Sequence, residues 1–505
     1  MRKTSFILSR KTLAWFSVLA LLISLLPLCI IAFYNHPYYE DFGFSLLTRK
    51  AWLDTGRFGA VISAAVKTTI NAQESWGGAF ITTFISALQP AIFGEGMYWI
   101  TTVLLLALFL FSLWVFIRQA MRALRVDLPA FLILYSLLSI CMIQLIPKVS
   151  VAFFWFSGGV ASIFPWSVML LNMAAWLRFS QCTGKVKTAL LFTAMVILSF
   201  ILAGGSYATA LFACLCAMLY TLRAFWHKHP KRGAYLSLML LLTICLVLRI
   251  TMKGNLIRDD ALQGGMGVPA VILQSLLLGL ALMADWLSLP LAAVMILMVT
   301  LLLPALRQSM CTFSRPLWVT MLIACLFCAQ VALTQLAGND PGDGYALNTC
   351  FFTCVLMAHG LVLYWAGWFL RKAETPSPAS PEADTARRIP TSSPRVRGGI
   401  LAVVAALLIV GFISHHPERA CYGLQYMPSG SAMSALQRGG AERHGRRMAA
   451  RNVLLNDPSQ PDVMLKPLPG TPMVFISGLY QDHDQDEVIR LYAEYYQKTS
   501  VSLTP

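Results

Sequence analysis

The sequence predicts a polytopic α-helical membrane protein of about eleven transmembrane helices, on three observations. Of 505 residues, 57% are hydrophobic and only 12% are charged, far below the roughly 25% charged of soluble domains. Apolar stretches near the roughly 20 residues needed to cross a bilayer recur along most of the chain. The basic residues fall mainly in short loops between these stretches, as cytoplasmic loops do in multi-pass proteins.

Taken in order, the spans are expected near 13–34, 97–117, 128–146, 155–177, 187–203, 206–225, 233–251, 288–306, 317–337, 346–370 and 399–414. The first is preceded by Arg2, Lys3, Arg10 and Lys11 and followed by the bulky FYNHPYY, without a small-residue cleavage site. It reads as a retained anchor with the N-terminus in the cytoplasm. Arg118, Arg122 and Arg125, then Lys185 and Lys187, then His227 to Arg232, and finally Arg371 to Arg397 join that side. The loop with residues 35–96, the loop 252–287 and everything after Ile413 are thereby placed outside. Residues 268–286 are apolar enough to span, but a crossing there would put the Arg-rich loop outside. They are read as a helix in the outer interface or re-entering. The formal charge of +16 reports topology, with no single basic stripe for nucleic acid.

Most of the twelve cysteines lie in or at apolar spans, so no disulfide framework is implied. Cys325 and Cys328 form a C-x-x-C inside an apolar helix, where packing explains them. No metal-ligand cluster of Cys and His is evident.

Residues 1–414 therefore form a transmembrane domain and 415–505 a small extracytoplasmic domain of mixed α and β structure. The first outer loop, 35–96, reads as amphipathic surface helices broken at Gly56 and at Gly77 to Gly78. The Pro- and Ser-rich stretch 371–398 reads as a disordered cytoplasmic linker.

The candidate chemistry lies in the outer loops. Glu40 and Asp41 sit in NHPYYEDF at the membrane edge, where carboxylates are costly unless they face water or a partner. Either acid is a candidate general base for an acceptor hydroxyl. Lys253 and Arg258 in KGNLIRDD are candidate phosphate-binding cations, since the planar Arg fork donates two parallel hydrogen bonds. They read equally as snorkelling residues paired with Asp259 and Asp260. Arg57 and Arg49 compete for the cationic role, against a reading as interfacial anchors. Tyr345 and Asn348, at the outer end of a span, are candidate substrate contacts; Asn348 also suits a helix-start turn.

The motifs YYEDF (38–42), DTGRF (54–58), ESWGGAF (74–80) and KGNLIRDD (253–260) bring in a family. With a long first outer loop, about eleven spans and a terminal outer domain, the chain resembles the GT-C superfamily of integral-membrane glycosyltransferases. It is similar also to a related bacterial polytopic family to which no function is assigned. The resemblance covers most of the membrane region, through short motifs. It implies a multi-pass protein of the bacterial cytoplasmic membrane that moves a sugar from a polyprenyl-phosphate carrier to an extracytoplasmic envelope glycan or lipid acceptor. The first-loop acid, Asp41 or Glu40, would serve as base; in some members such an acid binds a divalent metal. Trp76 and Asn255 fall on the family's W-x-G-R-like and G-N-x-x-R motifs as substrate-binding positions. The first of these departs from the pattern, since Trp76 is followed by Gly77, Gly78 and Ala79 with no Arg. The rival classes are a transporter or flippase of a lipid-linked precursor and a noncatalytic envelope-assembly scaffold. Transporters place ionisable groups near the midplane on broken helices, whereas polarity here is centred on loops.

Overall fold

A computed structural model of the chain describes residues 9–503 apart from 76, 78, 254–267, 337–343, 375–393, 415–423, 467, 469 and 477–484. In chain order its helices are α1 (Arg10–Ile31), α2 (Glu40–Thr55), α3 (Phe58–Ser75), α4 (Phe80–Ser86), α5 (Ile100–Ala123), α6 (Leu128–Gln144), α7 (Phe156–Gln181), α8 (Lys185–Ala203), α9 (Tyr207–Trp226) and α10 (Arg232–Ile250). There follow α11 (Val268–Trp286), α12 (Leu289–Gln308), α13 (Pro316–Leu336), α14 (Gly344–Glu374), α15 (Pro394–Ser414), α16 (Pro428–Gln437) and α17 (Gly440–Asn456). The chain ends with β1 (Asp462–Leu465), α18 (Gln485–Tyr495) and β2 (Ser500–Leu503), the two strands pairing in parallel. Among the described residues, nine helices are long and apolar enough to cross a membrane. Shorter apolar helices at Leu128–Gln144, Pro316–Ala332 and Gly398–Ser414 fall on three further expected spans. The protein is thus a helical, multi-pass membrane protein.

α1 shows how sequence makes such a helix. The Ser9 side chain accepts the Thr12 N–H at 3.1 Å, satisfying one of the orphan donors of the first turn. Leu21 and Leu28 are buried toward the bundle, while Trp15, Phe16, Leu19, Leu22, Ile23 and Leu26 are exposed. With the backbone bonded internally, that apolar exposed face suits hydrocarbon. The centre of the bundle is aromatic: Phe109 of α5 stacks on Trp166 of α7 at 5.3 Å, and both meet Phe352 of α14. Gly159 lets α7 approach α5, because a Cβ there would stand 2.2 Å from Leu105 Cδ1.

The contacts define two faces. On one, Arg10 pairs with Asp127 at 3.8 Å, Lys231 Nζ donates to the carbonyls of Phe179 and Cys182, and Arg371 donates to the carbonyl of Ser309. The basic connections between α5 and α6, α7 and α8, and α9 and α10 belong to this basic face. The opposite, loop-bearing face carries the described residues of 35–98, the turn before α7, the start of α14 and the described part of the C-terminal region.

The structure adds to the sequence expectation at three places. α11, expected to lie in the outer interface or re-enter although apolar enough to span, is one of the nine helices of spanning length and hydropathy; it packs on α13 at Gly279 against Cys328 while Ile272, Leu273, Leu277 and Leu280 stay exposed. The expected linker 371–398 is helical at both described ends, which extend α14 to Glu374 and start α15 at Pro394. The C-terminal region is tied into the bundle: Ser429 bonds to Gln144 of α6 through both its N–H and its hydroxyl, and to the Ser24 carbonyl of α1.

Candidate functional site

The acidic pair opens α2, and the chain enters the helix through Tyr39 at φ 39°, ψ −103°. A non-glycine residue there stores backbone strain of about 1–3 kcal/mol, which persists only where the surroundings over-determine it. Those surroundings are the bonds made by Asp41. Its Oδ2 accepts the Tyr38 N–H at 3.1 Å and the Tyr98 hydroxyl, and its Oδ1 accepts the Ser157 N–H at 2.9 Å and hydroxyl at 2.6 Å. The Tyr98 hydroxyl in turn accepts the Phe156 N–H at 3.0 Å, so its own proton is free to point to Asp41.

Phe156 and Ser157 are the first residues of α7, where backbone N–H groups have no intrahelical acceptor. The preceding Trp155 supplies no side-chain cap. Asp41 and Tyr98 therefore cap α7 from two other parts of the chain, and the carboxylate sits at a helix N-terminus, where the dipole favours negative charge. Asp41 is fully buried. Burial pushes its carboxyl above the usual carboxylate range, opposed by the hydrogen bonds from Ser157, Tyr98 and the Tyr38 backbone.

Glu40 has the complementary position. It is half-buried, and its Oε2 accepts the Tyr345 hydroxyl at 3.0 Å. Tyr345 packs on Trp155 with ring centroids 5.3 Å apart, and Trp155 meets Tyr38 at 5.7 Å. The start of α2, the turn before α7 and the start of α14 thus converge around one carboxylate that retains access.

A second cluster fixes the rest of the first loop. Arg49 donates to the Ala91 carbonyl at 3.3 Å and to Asn456 Oδ1 at 3.2 Å, and lies over the Tyr495 ring at 4.8 Å. Gln89 bonds Ser45 and Tyr495, and the Tyr496 hydroxyl bonds Glu95. Phe42 packs into Tyr492 and Tyr495. Arg49, weighed as a phosphate-binding cation, is instead the rivet between this loop and the C-terminal region.

The remaining sequence candidates separate. Arg57 is exposed at the far end of α2, about 24 Å of helix from Glu40 at 1.5 Å per residue, so it is not brought to the acidic pair. Lys253 is exposed, just beyond α10. Asn348, a candidate sugar contact, is fully buried and spends both ends of its amide on Lys148, accepting its N–H at 3.0 Å and donating to its carbonyl at 2.8 Å. It is a clamp between α14 and the turn before α7. Trp76, Asn255 and Arg258 lie outside the described residues.

A divalent ion at the acidic pair does not fit these residues: both Asp41 oxygens are engaged, and the described residues hold no group of three or more His, Cys, Asp or Glu placed to bind a metal. Sequence reasoning missed Tyr98, Ser157 and Trp155, whose roles arise only from packing. It missed His36 and His444 as well. Comparison with family models, curated proteins and solved structures finds no match for the chain, so the functional reading rests on its own residues.

Proposed function

We propose that the chain is an integral-membrane glycosyltransferase that moves a sugar from a polyprenyl-phosphate carrier to an envelope acceptor, with Glu40 taking the proton of the acceptor hydroxyl. The supporting observation is the division of labour in the acidic pair: Asp41 is locked into the capping of α7, while Glu40 remains accessible beside Tyr345. A positioned carboxylate of this kind typically contributes about 10²–10⁴-fold as a general base. The cytoplasm would take the basic face by the positive-inside bias, leaving the acidic pair outside, where lipid-linked donors are used. Lys253 and Arg258 would meet the departing phosphate.

The transport reading draws on Arg249, a buried cation in α10, since intramembrane charges often mark pathways. Its guanidinium donates to the Ala203 carbonyl at 3.1 Å and lies 3.6 Å over the Tyr207 ring, which gives it a structural role.

Purified protein in nanodiscs, supplied with labelled polyprenyl-phosphate sugars and an envelope fraction, should transfer label. Glu40→Gln should reduce transfer at least about 100-fold without unfolding the chain. Undiminished transfer in a folded Glu40→Gln variant removes Glu40 as base.

A further inference from the structure

An open cleft with an enclosed volume of about 50 Å³ lies beside the acidic pair, between Asn35–Tyr38 of the first loop, Phe154 and Trp155 before α7, and His444, Thr471, Phe475 and Tyr492 of the C-terminal region. Among the described residues its lining contains no Asp, Glu, Lys or Arg. It combines aromatic faces, Trp155, Tyr38 and Tyr492 among them, with the neutral hydrogen-bonding groups of His36, His444 and Thr471. The His36 and His444 rings stand 5.9 Å apart, and His36 Nδ1 is buried with no hydrogen-bond partner among the described residues. A buried polar atom left so is costly unless a ligand or water completes it.

We infer that this cleft binds a neutral sugar unit of the acceptor, stacked on the aromatic faces and hydrogen-bonded through a hydroxyl to His36. The inference rests on the glycosyltransferase reading and names the substrate class of that site. Three features select this occupant. The described lining residues carry no charged side chain to pair directly with a phosphate or carboxylate. Unpartnered imidazole nitrogen disfavours a hydrocarbon chain, which could not satisfy it. Sugar rings present apolar C–H faces and a rim of hydroxyls, matching aromatic walls and neutral donors and acceptors. Both imidazoles are held neutral: burial lowers His36 to about 3, helped by His444, and burial with the nearby Arg451 and Arg447 lowers His444 to about 4. A neutral imidazole can accept a hydroxyl proton at one nitrogen and donate at the other. The cleft also communicates with the base, since Trp155 is its wall and packs on Tyr345, the partner of Glu40.

The test is saturation-transfer NMR on the full chain in nanodiscs with a panel of methyl glycosides: glucoside, galactoside, mannoside, N-acetylglucosaminide and arabinofuranoside. At least one should receive saturation, and its Kd should rise tenfold or more in His36→Phe and in His444→Phe, with folding checked by circular dichroism and gel filtration. Glu40→Gln should keep that Kd within twofold. If no glycoside binds folded wild-type protein, if both histidine variants bind as wild type, or if only sugar phosphates or farnesyl phosphate bind, the inference falls. Glycoside binding that needs His36, together with transfer that survives Glu40→Gln, overturns the base and leaves the cleft standing. Transfer that needs Glu40 but has the same acceptor KM in His36→Phe overturns the cleft and leaves the base.

Discussion

Tyr98→Phe tests the proposed structural role of Asp41. The hydroxyl it removes accepts the Phe156 N–H and donates to Asp41, and Tyr98 is fully buried, so water cannot replace it. One buried N–H is left unsatisfied, at a cost of about 1–3 kcal/mol, and a hydrogen bond to a carboxylate worth about 1.5–3 kcal/mol is lost. The ring volume is unchanged, so no cavity adds to the cost. The expected destabilisation is about 2.5–6 kcal/mol, read by tryptophan fluorescence during SDS titration in mixed micelles. Ser157→Ala, which leaves the backbone donor to Asp41 in place, should cost less, and its effect should not add independently to that of Tyr98→Phe because both side chains share one acceptor. A loss below about 1 kcal/mol in Tyr98→Phe, the net worth of an ordinary solvated hydrogen bond, would refute the capping argument.

Three further outcomes follow from the same contacts. The His36 and His444 values lowered to about 3 and about 4 lie below the unfolded value near 6.5, so the unfolded chain binds more protons as pH falls. Stability should therefore drop from about pH 6.5 toward about 4 for His444 and about 3 for His36, by at most about 1.4 kcal/mol per pH unit for each group; a His36→Phe/His444→Phe variant should flatten that slope, and an unchanged slope would exclude these groups as its source. Arg49→Ala removes bonds to Ala91 and Asn456 and the stacking on Tyr495, and should release the C-terminal region to limited proteolysis at rates several-fold above wild type. Tyr39→Gly should relieve positive-φ strain and raise stability by about 1 kcal/mol while lowering the kcat of sugar transfer through looser placement of Glu40; lower stability would mean that the Tyr39 ring contributes more than its backbone costs.

The membrane class was legible because hydropathy over a span-length window is a local property, and the helices at Arg10–Tyr34 and Leu289–Gln308 are written in contiguous residues. Gly56 was legible too: it ends α2 at φ 60° with its N–H bonded to the Trp52 carbonyl, a conformation glycine adopts without steric cost. The junction at Asp41 was not legible. Its partners stand 57 and 116 residues away, and periodicity reports which face of an element is buried without naming what covers it. The same limit hid the docking of the C-terminal region, where Gly445 admits Tyr34 so closely that a Cβ would lie 2.9 Å from its ring.

Position in sequence also concealed which acid is fully buried. Neighbours on a helix point about 100° apart, so Glu40 and Asp41 cannot share one environment once α2 packs. Packing on α7 takes Asp41, because its short side chain reaches the Ser157 N–H and hydroxyl at the start of that helix; Glu40, longer and turned away, meets Tyr345 of α14. A catalytic carboxylate must be held within a fraction of an ångström, yet remain reachable. The pair meets both demands by dividing them: the acid that pays the cost of burial fixes the helix on which its half-buried neighbour is held beside Tyr345.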